Sequence, residues 1–172
     1  MEKKTGYSAR KSSLDIGFAD KWFCKKIYNI CRVRLNGGIY LAKAEEYHKK
    51  GYNCSESMIK AFNDIEGREI VPVEFGSAFG GGMGIGATCG AITGTLLVLG
   101  SIMGRKSAEL PNESREYARR LLMKVKDTYG TYDCKALKQK GVACKEIICF
   151  MEKELAEIHR SIQIKKEKII QN

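Results

Sequence analysis

Four cysteines, Cys54, Cys89, Cys134 and Cys144, stand where thiol chemistry would be strongest, at or near predicted helix starts. Asn53 precedes Cys54, and Glu56 follows the asparagine three residues on, a capping-box pattern with Asn in the cap role. Thr88 precedes Cys89 after a glycine run, Asp133 precedes Cys134, and Gly141 stands three residues before Cys144. The first turn of a helix carries unpaired N–H groups and a partial positive charge, which both favour thiolate over thiol. The thiolate is the form that attacks disulfides and binds metals.

The faces agree with the positions. Cys54 shares a helical stripe with Met58 and Ala61 or Phe62, Cys89 with Ile92, Leu96 and Leu99, and Cys144 with Ile147, Ile148, Met151 and Leu155. Any single buried cysteine could serve packing alone. Four at helix starts, with apolar stripes behind them, point to one interior site. Cys149 falls on the face of Lys145 and Glu152 and reads as a bystander, and Cys24 and Cys31 lie on an N-terminal arm.

Two chemistries suit four thiols. One is thiol–disulfide exchange or electron transfer. The chain has no C-x-x-C, so pairs would form across helices, most simply Cys134 with Cys144 and Cys54 with Cys89. The other is a tetrahedral zinc or an iron–sulfur cluster held by Cys54, Cys89, Cys134 and Cys144. The 34, 44 and 9 residues between successive members match no common zinc or ferredoxin run. Covalently attached haem is not expected, because C-x-x-C-H does not occur. A third reading, from a different class, is a non-catalytic protein that binds a partner through its basic arm.

The elements that would position these thiols are helical. A chain of 172 residues suffices for one domain with a real core, and two prolines favour helices over turn-rich β architecture. The expected fold is all-α, a compact helical bundle with a buried central helix starting at Cys89. Residues 1–38 read as a basic extension and residues 39–172 as a single helical four-cysteine domain with a charged C-terminal helix. Helical spacing begins at Ile39 and is broken at Gly51-Tyr52. Further helices are expected over 53–63, 89–103, 112–129 and 133–140, and from 142 into the tail. No strand run or internal repeat stands out.

Residues 75–104 carry no charge. The apolar run at 87–103, interrupted by Thr88, Thr93 and Ser101, falls short of the roughly 20 residues of a membrane span, so it reads as a core helix. Gly84-x-Gly86-x-x-Cys89 approaches a dinucleotide fingerprint but ends on cysteine with no strand ahead of it. No Lys-Ser or Lys-Thr follows the glycines, as a phosphate loop would need. Gly90 and Gly94, four apart, suit close helix–helix approach.

The net charge of +10 is uneven: +6 in residues 1–38, +3 in 39–150 and +1 in 151–172. Nucleic-acid binding by the folded body is therefore not expected. The arm, with Trp22 and Phe23 in a basic amphipathic stretch over 21–30, could touch an acidic partner or a membrane surface. An odd cysteine count and the lack of an apolar run behind Lys3 and Lys4 place the protein in a reducing cytoplasm. His48 and His159 show no obvious partner and read as polar-face residues. Glu152, Glu154 and Glu157 read as a solvated helix face, and no Ser-His-Asp pattern stands out.

Cys89-Gly90-Ala91-Ile92-Thr93-Gly94 fits the CGAxxG signature of the C_GCAxxG_C_C family of redox-active proteins. With Gly51-Tyr52-Asn53-Cys54 upstream, Gly81-Gly82-Met83-Gly84 leading in, and Cys134 and Cys144 downstream, the chain resembles that family over about residues 40–158. The resemblance implies a small bacterial-type or archaeal-type protein with a redox role and four characteristic cysteines: Cys54, Cys89, Cys134 and Cys144. The first 38 residues have no counterpart in it. A redox partner protein is expected, and a homodimer would be in keeping with the long apolar core.

Overall fold

The computed structural model describes residues 43–171, together with the backbone of residues 32–35 and 38–41. Cys24, Cys31 and the basic stretch over 21–30 lie outside the described residues.

A short hairpin opens the described part. Strand β1 (Arg32–Leu35) pairs antiparallel with β2 (Gly38–Leu41), Val33 opposite Tyr40. The helical spacing read from Ile39 onward is thus a strand as far as Leu41. The stronger signal is Asn36-Gly37 between two short runs rich in β-branched and large apolar residues, the pattern of a two-residue hairpin turn.

The remaining regular elements are helices, as expected of an all-α fold. The helices are α1 (Ala44–Lys49), α2 (Cys54–Glu66), α3 (Gly90–Met103), α4 (Glu113–Tyr129), α5 (Cys134–Gln139) and α6 (Cys144–Ile170). A 3₁₀ segment (Val73–Phe79) and a wide glycine turn (Gly82–Gly86) link α2 to α3. Among the described residues, no helix is long and apolar enough to cross a membrane.

Local chemistry sets the ends of these helices. The Asn53 side chain accepts the N–H groups of Ser55 and Glu56, while Glu56 accepts the N–H of Asn53, completing the capping box. Helix α2 stops at Gly67 and α4 at Gly130, both left-handed. Two other expected caps differ. Cys89 is itself the cap residue of α3, and Asp133 caps α5 by position without a side-chain hydrogen bond. Thr88 and Asp133 instead form an isolated antiparallel bridge. Within it the Cys89 N–H donates to the Tyr132 carbonyl at 2.9 Å, and the Cys134 N–H to the Ala87 carbonyl at 2.7 Å. Once these groups pair with backbone, the capping side chains have less to do.

Helix α3 packs against α2, α4 and α6. Its Ile92, Val98 and Leu99 meet Met58, Ile59 and Phe62 of α2, Leu121 and Val125 of α4, and Ile148, Met151 and Leu155 of α6 in one buried cluster. Burial of each such side chain is worth about 1.5–3 kcal/mol relative to exposure. Gly90 and Gly94 allow the approach of α2. A β-carbon on Gly94 would sit 2.6 Å from the Ser55 carbonyl oxygen, so only hydrogen fits there.

Helix α6 departs from its expected solvated face. Glu152 is buried, and its carboxylate accepts the N–H groups of Lys43 and Ala44 at 2.8 and 3.1 Å. It caps α1 from another helix, where Lys43 offers no side-chain cap of its own. Glu154 is buried too, paired with Lys124 at 2.6 Å, whereas Glu157 is exposed. Cys149, read as a bystander, is buried with its Sγ 3.7 Å from a Glu45 carboxylate oxygen. The cause in both cases is α1, which lies on that face of α6 and covers residues that look solvated from α6 alone.

Glu152 makes stability depend on pH. Burial outweighs the two N–H bonds and raises its pKa from 4.5 to about 7. Between those values the folded protein holds a proton that the unfolded chain has released, so its contribution is full below 4.5 and fades as pH rises through about 7. Urea unfolding of wild type and Glu152→Gln between pH 4 and 8 should show the wild type losing ground to the variant as pH rises. A difference that is flat with pH would refute the assignment.

Candidate functional site

The glycine turn, the 3₁₀ segment and the starts of α2, α3 and α5 bring the thiols together. Cys54 is the first residue of α2, and Cys89 the cap of α3. A β-carbon on Gly90 would lie 2.3 Å from the Cys54 Sγ and 2.8 Å from the Phe79 carbonyl oxygen, so the Cys54 sulfur rests on bare backbone. Cys54 and Cys89 are hydrogen-bonded to each other through their side chains, and both are buried free thiols.

The bond divides the pair electrostatically. The Cys89 S–H donates to Cys54 and holds it well below the ordinary thiol range, at about 5, against the opposing effect of burial. The N–H groups of Gly81 and of Cys54 itself assist, as does the charge of His48. Cys89 moves the other way, driven first by the same bond and then by burial, so it keeps its proton.

Gly81, Gly82, Met83 and Gly84 lie in succession in the left-handed region, with φ of 61°, 68°, 58° and 74°. This short left-handed turn aims the Gly81 N–H at Cys54, a path that glycine follows without steric cost. It also seats Gly82 on α5, where a β-carbon would fall 2.8 Å from the Cys134 Cβ.

Cys134 is buried, and burial raises its pKa while the nearby Lys138 opposes the rise. It lies within electrostatic reach of both Cys54 and Cys144. Cys144, half-buried, is the first residue of α6, closer to its helix start than expected. Cys54 and Cys89 are thus in direct contact, Cys134 lies within electrostatic reach of Cys54, and the half-buried Cys144 lies within reach of Cys134. Among the described residues, no three Cys, His, Asp or Glu side chains converge as a metal would need.

Both histidines have partners, contrary to expectation. His48 meets the Tyr52 carbonyl through Nδ1 at 2.9 Å and adds its charge to the field at Cys54. His159 packs edge-on to Phe62, with Nε2 2.9 Å from a Glu66 carboxylate oxygen, remote from the thiols in sequence and contact. Sequence reasoning also missed the Gly81 N–H as a thiolate donor. Its signal was the run Gly80-Gly81-Gly82 ahead of Cys89.

A helical bundle that seats a hydrogen-bonded thiol pair beneath a glycine turn defines a thiol-centred all-α protein. The chain belongs to the C_GCAxxG_C_C family, described as "Putative redox-active protein", which it matches over residues 52–158, more than half its length. That span contains the hydrogen-bonded pair as well as Cys134 and Cys144. No curated protein and no solved structure matches it.

Proposed function

We propose that the protein is a thiol–disulfide redox protein whose working couple is Cys54 and Cys89. The observation that carries this reading is the hydrogen bond from the Cys89 thiol to the Cys54 sulfur. It makes one sulfur a nucleophile at neutral pH and holds the second in place to resolve the product.

The Cys54 thiolate attacks one sulfur of a disulfide substrate, whose S–S bond breaks and releases one thiolate. Cys54 is then uncharged, so the main influence holding the proton on Cys89 is gone. Cys89 gives that proton to the leaving thiolate and attacks the Cys54 sulfur. The Cys54–Cys89 disulfide forms and the second substrate thiolate leaves, taking a proton from solvent. Two electrons and two protons in all pass to the substrate. Cys134, in reach of both Cys54 and Cys144, then reopens that bond by attack on Cys54, and Cys144 resolves the mixed disulfide, so a Cys134–Cys144 disulfide forms as Cys54 and Cys89 are reduced.

Peptide mapping after stepwise mild oxidation tests the couple. The first disulfide should join Cys54 to Cys89, and the second Cys134 to Cys144. A first disulfide involving Cys149, or joining Cys89 to Cys134, would overturn the assignment.

A further inference from the structure

The glycine turn shows solvent an apolar face that the bundle does not use. Ile85 is 82% exposed and Met83 41%, and Phe75 in the preceding 3₁₀ segment is 59% exposed. The turn is fixed beneath them: Gly82 rests on Cys134, and a β-carbon on Gly86 would lie 2.9 Å from the Lys135 Cβ. Met83 and Ile85 therefore sit on a turn that is packed against Cys134 and Lys135.

Met83 adds an independent observation. Among the described residues it is the one non-glycine with positive φ, at 58°. A left-handed conformation is disfavoured for an L-residue, and glycines occupy the positions on either side. An exposed methionine gains little packing to offset that cost. Strain held at an exposed apolar side chain beside a reactive site points to use of that side chain.

The rim is basic. Lys135, Lys138 and Lys145 are exposed next to Cys134 and Cys144, and the charge of Lys138 is felt at the Cys134 sulfur. Asp133 and Glu146 oppose them, which leaves the rim one positive charge in excess. An apolar centre with a charged rim is the anatomy of a specific, transient interface, and the sign of the rim selects the opposite sign on the partner.

We propose that Met83, Ile85 and the Lys135–Lys138 rim form the docking face for an acidic, disulfide-bearing protein segment with an apolar residue beside its cysteine. The proposal rests on the thiol–disulfide reading for the disulfide and on the surface itself for the docking.

The test separates the two. Binding is read by anisotropy with a labelled, aspartate-flanked peptide carrying leucine beside a thioether in place of the disulfide, so that no exchange occurs. Its lysine-flanked isomer and phosphatidylserine vesicles serve as competitors. Chemistry is read separately, with 2-hydroxyethyl disulfide. The aspartate peptide should bind about tenfold or more tightly than its isomer at low salt, with the gap narrowing as salt is raised. Ile85→Asp and Lys135→Glu should each weaken that binding about tenfold while leaving the rate with 2-hydroxyethyl disulfide unchanged. Equal binding of the two peptides, no effect of either variant, or displacement of the peptide by vesicles would overturn the docking face. Loss of reaction with 2-hydroxyethyl disulfide while peptide binding persists would sink the couple and leave the face standing.

Discussion

Reduction of a small disulfide by this protein should reach its full rate by about pH 6 and stay level above it, where an ordinary thiol would still be climbing. With its pKa lowered to about 5, Cys54 is about 90% thiolate at pH 6, against roughly 0.3% for a free cysteine near 8.5. That is an advantage of about 300-fold in reactive form. A less basic thiolate is a weaker nucleophile, and a Brønsted slope of about 0.4–0.5 returns a factor of roughly 25–55. The net gain at pH 6 is about five- to twelvefold, and it vanishes with Cys54→Ser.

The two jobs assigned to Cys89 separate in two variants. Cys89→Ser keeps an O–H donor toward Cys54, so the low inflection should survive, but the mixed disulfide cannot be resolved and should accumulate. Cys89→Ala removes donor and resolving sulfur together, so the inflection should move up toward the ordinary thiol range. The pH–rate profile, with mass spectrometry of the trapped adduct, reads both. An unchanged inflection in Cys89→Ala would mean that the Gly81 N–H and the helix start set the nucleophile, not the second thiol.

Gly90→Ala should be among the most damaging single methyl groups in the fold. The added carbon would meet the Cys54 sulfur at 2.3 Å and the Phe79 carbonyl at 2.8 Å, and neither is the loose end of a flexible chain. Overpacking of this kind costs about 1–3 kcal/mol, more than the roughly 1 kcal/mol that alanine gains over glycine inside a helix. The same substitution at Gly100, on the same helix, meets nothing within 4 Å. It should stabilise the protein by about 0.5–1 kcal/mol. Urea unfolding of the pair, with thiolate absorbance near 240 nm followed in each, distinguishes close packing from propensity. Gly90→Ala should lose both stability and thiolate signal, and Gly100→Ala neither. If the two variants behave alike, Cys54 does not rest on Gly90.

Much of this was legible in the chain. The Asn53–Glu56 capping box, the small residues at Gly90 and Gly94, and the charge-free run that becomes α3 each act locally, through residues a few positions apart. The helix starts at Cys54, Cys134 and Cys144 were readable for the same reason. What stayed hidden depended on elements far apart in sequence. Glu152 and Cys149 look solvated until α1, some hundred residues earlier, is laid over them. The hydrogen bond that divides Cys54 from Cys89 in acidity exists only after α2 and α3 are packed. The hairpin at 32–41 was hidden differently: a helical period was read from Ile39, although the Asn36-Gly37 pair just ahead of it has the chemistry of a hairpin turn.

The bridge between Thr88 and Asp133 bears on how the chain can change length. It clamps residues 87–89 to 132–134 by backbone bonds, so the starts of α3 and α5 are held together whichever side chains they carry. Everything between belongs to a closed excursion through α3 and α4, with an exposed turn over residues 104–113 at its far end. Lengthening a flexible loop costs little, about 0.6 kcal/mol per doubling. Insertions in that turn would alter the outline of the molecule and leave the spacing of its sulfurs alone. The number of residues separating Cys89 from Cys134 is thus free to drift where the gap between Cys134 and Cys144, bounded by the short helix α5, is not.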